Sequence, residues 1–276
     1  MCHSDLLEQW LSAWYRSASG LPALGRTFGH QEQAEREALF DRALDDIQAR
    51  IFEGEHESHR IACTVAHLAC SALDIDDDRT EALLRDDFSA IARDLAAWAR
   101  ALDAGVSTVD ILQACRNAWT ACGLQALLGE PPRLTPAIFA YSMLYPYSDN
   151  YLDDKHISWA AKLRFSARFR QRLAAGELAP GDALENTIWD LVSRIESQWP
   201  RKAYPAVYDC LLAIHRAQEK SLAQQRAAWL SDADILRLSF AKGGASVLAD
   251  AYLAAGSLSE VERNFAFGWG VLLQLG

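Results

Sequence analysis

Between its prolines, the chain places apolar residues three and four positions apart almost everywhere, and runs of alternating β-branched residues are missing. Leu184, Ile188, Leu191 and Ile195 fall on one helical face, as do Ile61, Val65 and Leu68 with Ala72 beyond. Alanine, leucine, arginine and glutamate dominate these stretches, and all four favour helix. Pro22, Pro131, Pro132, Pro136, Pro180, Pro200 and Pro205 punctuate them. The pattern predicts helices at roughly 4–18, 31–53, 57–73, 79–103, 107–128, 134–152, 157–175, 182–198, 203–229, 232–255 and 259–276. Ser107 with Asp110 has the form of a capping box. Asp182 after Gly181 suits a helix start, and Gly129 and Gly176 suit helix ends. Residues 19–30 form the best linker candidate, dividing an N-terminal helix (1–30 with its linker) from a helical domain over 31–276. The expected fold class is all-α.

Composition narrows the function. Of 276 residues, 50% are hydrophobic, which allows a sizeable core. The net charge of −10 and pI of about 5.2 argue against nucleic acid or an anionic membrane surface as a main partner. Cys2, Cys63, Cys70, Cys115, Cys122 and Cys210 form no CxxC pair, so buried thiols in a reducing compartment are expected. The start, Met1-Cys2-His3-Ser4-Asp5, lacks a basic leader, and no uncharged apolar run reaches membrane-spanning length. A cytoplasmic protein is expected.

The candidate chemistry centres on Tyr147-Ser148-Asp149-Asn150-Tyr151-Leu152-Asp153-Asp154. On a helix, Asp149 and Asp153 share one face a turn apart, where two like charges repel. A hard divalent cation would make the cluster favourable, because such ions prefer carboxylate oxygens. A solvated helix end with an acidic cap is the plain structural alternative. The flanks are apolar and aromatic, including Ile138, Phe139, Tyr141, Tyr145, Ile157 and Trp159.

Three further features bear on that cluster. Arg164, Arg168 and Arg172 form a basic stripe one helix later, near Lys155 and Lys162. Much of it reads as a solvated face, but a phosphate would take one or two such cations, with Arg164 and Lys155 nearest. Lys242-Gly243-Gly244 puts two glycines in a helical run at a cost of roughly 2 kcal/mol against alanine, which suggests either a break or close helix packing. The segment Asn264 to Gly276 is an apolar helix with Gln274 near its tip.

Together these elements resemble the class I isoprenoid synthase superfamily. Asp149-xxx-Asp153-Asp154 looks like the first acidic motif of squalene and phytoene synthases, and is similar to that of the bacterial large terpene synthases. Lys242-Gly243-Gly244 sits where that family has a helix break, and Gly270-xxx-Gln274 is similar to the helix leading into its second acidic motif. The resemblance covers roughly residues 110–276. It implies a single antiparallel helical bundle with extra N-terminal helices, and a C-terminal part expected to be incomplete, since the second acidic motif would follow Gly276. It implies Mg²⁺ held by Asp149, Asp153 and Asp154, the same residues being catalytic. It implies a prenyl diphosphate bound by Lys155, Arg164, Lys242, Tyr145 and Gln274, with a homodimer admitted as the assembly.

The reaction so implied is ionisation of the prenyl diphosphate followed by condensation or cyclisation. Metal and basic groups would stabilise the leaving diphosphate, and aromatic faces the carbocation. Tyr141, Tyr145, Phe139, Trp189 and Trp269 are aromatic candidates, each also readable as plain core. The alternative is a catalytically inactive helical binding or scaffold protein of the same fold. A carboxylate-bridged metal oxidase fits less well: its Glu-x-x-His signature occurs at Glu53 and His56, in a polar stretch with Gly54 that reads as a loop. Asp74 to Asp78 likewise reads as an acidic helix cap.

Overall fold

The computed structural model describes residues 3–17, 27–51, 64, 67–68, 70–71, 86–224 and 231–275. Among these the chain forms ten α-helices and no strand. They are α1 (His3–Arg16), α2 (His30–Ile51), α3 (Asp86–Leu102), α4 (Thr108–Leu127), α5 (Pro136–Asp153), α6 (Trp159–Ala175), α7 (Ala183–Gln198), α8 (Pro205–Gln224), α9 (Asp232–Ala255) and α10 (Glu260–Leu275). The all-α expectation holds, and the expected spans match these bounds within a few residues from α4 onward. Of the predicted 57–73 helix, residues 64, 67–68 and 70–71 are described and are helical; the 19–26 part of the linker, the Glu53–His56 stretch and Asp74 to Asp78 lie outside the described residues.

The helices start by one recurring device. The side chains of Ser107, Thr135, Ser158, Asp182 and Ser231 each accept a backbone N–H three residues on, satisfying a donor the helix itself cannot. Ser107 Oγ also donates to Asp110 Oδ2 at 2.6 Å. Gly176 ends α6 at φ 89° and Gly256 ends α9 at φ 75°, backbone that other residues rarely adopt.

Residues 1–17 with 91–276 form one compact unit, and residues 18–90 a second. In the first, α9 is the hub, touching α1, α4, α5, α8 and α10. Its lower half is buried all round, from Gly243 to Leu253 with few exceptions, so its sequence there carries almost no polar face. α5 packs on α4, α7 and α9, and α6 on α7 and α8. Cys115, Cys122 and Cys210 are buried thiols within this core. No helix among the described residues is long and apolar enough to cross a membrane.

The two adjacent glycines do not break α9, which runs unbroken through them. They bring α10 close. A Cβ on Gly243 would run into the Gly270 carbonyl oxygen and the Gln274 side chain. A Cβ on Gly270 would in turn strike the Gly243 carbonyl oxygen. Gly244 meets the Phe267 ring in the same way. Of the two readings of Gly243-Gly244, close helix packing is the one realised, and the expected helix break is corrected: with no side chains between them, the two backbones touch directly.

The arginine stripe on α6 ties helices together. Arg172 is buried and grips Glu196 of α7 with two hydrogen bonds of 2.7 Å. Arg168 holds Glu185 at 2.6 and 2.8 Å. These hydrogen bonds, with burial opposing them, hold the Glu185 carboxyl below its ordinary value.

Candidate functional site

α5 and α9 face each other through three matched levels. Tyr141, Tyr145 and Asp149 stand one turn apart on α5, and Asp250, Ser246 and Lys242 one turn apart on α9. Tyr145 Oη hydrogen-bonds Ser246 Oγ, and lies 3.4 Å from Tyr141 Oη. Tyr141 Oη also donates to the Ser246 carbonyl oxygen at 3.4 Å. At one end of the series, Lys242 charge acts on Asp149. At the other, Asp250 is fully enclosed, with Oδ1 accepting from Asn117 Nδ2 of α4 at 3.0 Å and Oδ2 without a partner.

A cavity of about 250 Å³ opens against this series. α5, α9 and α10 bring to it Tyr141, Tyr145, Ser148, Asp149, Lys242, Ser246 and Gln274. α6 and α8 bring Phe169, Leu173, Leu211 and Ile214, together with His215 and Gln218. Leu144 and Leu152 of α5 complete the apolar lining. Both charged groups, Asp149 and Lys242, therefore stand on the α5–α9 side, and the α6–α8 side is chiefly apolar and aromatic. Gln274, which lines the cavity, has its Cβ against Gly243 at the glycine contact.

Burial sets the protonation chemistry. It pushes the Asp149 carboxyl up to about 6, with Lys242 opposing and the Asp153 charge adding to the rise. It pushes Tyr145 up to about 12 and Tyr141 well above its ordinary value, so both phenols stay protonated. Asp250 is driven well above the carboxylate range by burial, against the Asn117 hydrogen bond.

His215 is the cavity residue with the most developed surroundings. Its ring sits edge-on to Phe169, with centroids 4.9 Å apart. Nε2 lies 2.9 Å from the Ser166 carbonyl oxygen and 3.3 Å from Ser166 Oγ. Ser166 Oγ donates to Glu219 Oε1 at 3.0 Å, and Arg170 pairs with Glu219 at 3.2 Å. Burial lowers the imidazole below its ordinary value, against the Ser166 and Glu219 contributions.

Of the residues expected at the site, Asp149, Lys242, Tyr145 and Gln274 converge on this cavity. The others do not line it. Asp153 is exposed a turn beyond Asp149, close enough for its charge to be felt there. Asp154 caps the end of α5 and turns its carboxylate to the His156 N–H at 2.8 Å. Lys155 is exposed in the turn that follows. Arg164 is exposed on α6, where its charge acts on Glu185. Among the aromatic candidates, Tyr141 and Tyr145 line the cavity. Phe139 packs on Trp98, Trp189 stacks on Phe169 and Trp269 is 41% exposed.

Sequence reasoning missed Phe169, His215, Gln218 and Ser246. A lone histidine on an apolar helix face, after Cys210-Leu211-Leu212-Ala213-Ile214, is a visible signal for His215, but an ambiguous one. Among the described residues no three of His, Cys, Asp and Glu converge to hold a metal by themselves. Asp149 and Asp153 do fit a magnesium ion that takes its remaining ligands from phosphate and water, since both are hard oxygen donors on one helix face. Compared with protein-family models, curated proteins and solved structures, the chain matches none.

Proposed function

We propose that the chain is a magnesium-dependent class I isoprenoid synthase that ionises a prenyl diphosphate. The observation that carries this reading is the division of one cavity between a charged side, with Asp149, Lys242 and Gln274, and an apolar side, with Phe169, Leu173, Leu211 and Ile214. A ligand matching it has an anionic head and an apolar tail. Leucine and phenylalanine walls exclude the water that would capture a carbocation.

Each residue then has a task. Lys242 donates to a phosphate oxygen and carries the positive charge nearest Asp149. The Gln274 amide donates beside it. Magnesium held by Asp149 and Asp153 would supply the charge neutralisation that lets diphosphate leave. Tyr141 and Tyr145 are held protonated and hydrogen-bonded at Ser246, so their ring faces can line the cation's path without acting as nucleophiles.

The expected outcome is that Asp149→Ala or Asp153→Ala abolishes diphosphate release from prenyl diphosphates while helical circular dichroism stays intact. Unchanged turnover in either variant would sink the reading. One observation favours a second reading: Asp154 spends its carboxylate on a turn, so the acidic cluster offers the cavity less than its sequence suggests. On that reading the fold binds the amphiphile without turnover. Calorimetry with magnesium and a non-hydrolysable prenyl diphosphate analogue separates the two, since binding without release marks a binding protein.

A further inference from the structure

We propose that His215 is the base that ends the reaction, removing a proton from the carbocation so that the product leaves as a hydrocarbon. The inference rests on the isoprenoid synthase reading and narrows it from condensation or cyclisation to a lyase outcome.

Three observations carry it. His215 lines the cavity from α8, which with α6 brings the apolar Phe169, Leu173, Leu211 and Ile214 against which the hydrocarbon part of an amphiphile would lie, whereas Asp149 and Lys242 come from α5 and α9. Its Nε2 is committed to Ser166, with the carbonyl oxygen at 2.9 Å and Oγ at 3.3 Å. A carbonyl can only accept, so Nε2 carries the hydrogen and Nδ1 carries the lone pair. Behind the ring, Ser166 Oγ donates to Glu219 Oε1 at 3.0 Å, and that oxygen lies 3.8 Å from Nε2. A base whose other nitrogen is anchored, with a carboxylate behind it, has a fixed tautomer and a stabilised imidazolium. Among the described residues lining the cavity, no other offers a neutral nitrogen base.

The step balances. Loss of diphosphate leaves an allylic cation. The C–H bond next to the cationic carbon breaks, its electron pair forms the new C=C bond, and the proton goes to Nδ1. Glu219 stabilises the resulting imidazolium, which returns the proton to water once the product departs. The products are one neutral alkene, one diphosphate and one proton, with no oxidant or reductant. Ser166 and Glu219 act through the ring and are positioning residues.

The experiment is product analysis with geranyl and farnesyl diphosphate and magnesium, scoring the ratio of hydrocarbon to prenyl alcohol alongside diphosphate release. Wild type is expected to form mainly hydrocarbon. His215→Gln, which keeps a polar group of similar reach, is expected to lower that ratio at least about tenfold as water captures the cation. Glu219→Gln, at a partly exposed position, is expected to shift it in the same direction by less, and decides the matter if His215→Gln loses its helical dichroism. An unchanged ratio overturns the role of His215 while leaving the synthase reading standing. So does a folded His215→Gln protein that makes no product, because a base acting after ionisation is not needed for ionisation. Absence of diphosphate release by wild type overturns the synthase reading itself, and this inference with it.

Discussion

Asp250 is a buried carboxylic acid on α9 whose Oδ1 accepts from Asn117 Nδ2 of α4. Water cannot hydrate it there, so the native state keeps it protonated well above the ordinary carboxylate range. The sign follows from proton counts. Above about pH 4 the unfolded chain has released this proton while the native chain still holds it, so rising pH favours unfolding until the native group also ionises. Asp250→Asn removes the titration and keeps an oxygen for Asn117. Denaturant unfolding of the variant should therefore lose less stability than wild type between about pH 4 and 8. Parallel pH profiles for the two proteins would show that Asp250 ionises normally. The same desolvation raises Asp149, but there the cavity and Lys242 offer the charged form partners.

Helix α9 places Lys242 and Ser246 because its two glycines let α10 lie directly on it. Gly243→Ala should drive α10 away, costing on the order of 1–3 kcal/mol and displacing Gln274 from the cavity. Gly123 on α4 is the contrasting case, since a Cβ there meets nothing within 4 Å. Gly123→Ala should stabilise by roughly 0.5–1 kcal/mol through helix propensity alone. Thermal unfolding of the pair checks both, and a Gly243→Ala protein as stable as Gly123→Ala would mean that the α9–α10 contact relaxes freely. Pro146 shows the same override of local preference. It lies inside α5, one residue from Tyr145, where it removes a helix hydrogen bond that packing against α4, α7 and α9 compensates.

At the scale of the whole molecule, the cavity asks for a ligand that is anionic at one side and apolar at the other. Ligand binding to the native state alone raises stability, by about 2.7 kcal/mol at a hundred times Kd. A non-hydrolysable prenyl diphosphate analogue with magnesium should raise Tm by several degrees, and Asp149→Asn should lose most of that shift. An equal shift without magnesium, or in the variant, would mean that the apolar wall alone does the binding. The helices were legible in the chain because 3.6-residue periodicity, Ser and Asp caps and terminal glycines are local signals, each acting within a few residues of itself. Asp149, Tyr145, Lys242 and Gln274 were legible as candidates because their spacing and their neighbours set them apart. Which of the acidic cluster faces the cavity was not, because Asp153 and Asp154 differ only in where the end of α5 leaves them. Nor was His215, whose partners Ser166 and Phe169 lie nearly fifty residues away on α6. By itself the sequence determined an all-helical chain with a charged centre at Asp149. Only tertiary packing decided that Lys242 and Gln274 line one cavity with Asp149 while Arg164 and Lys155 do not, because helix faces meet through shape and close contact that no local spacing encodes.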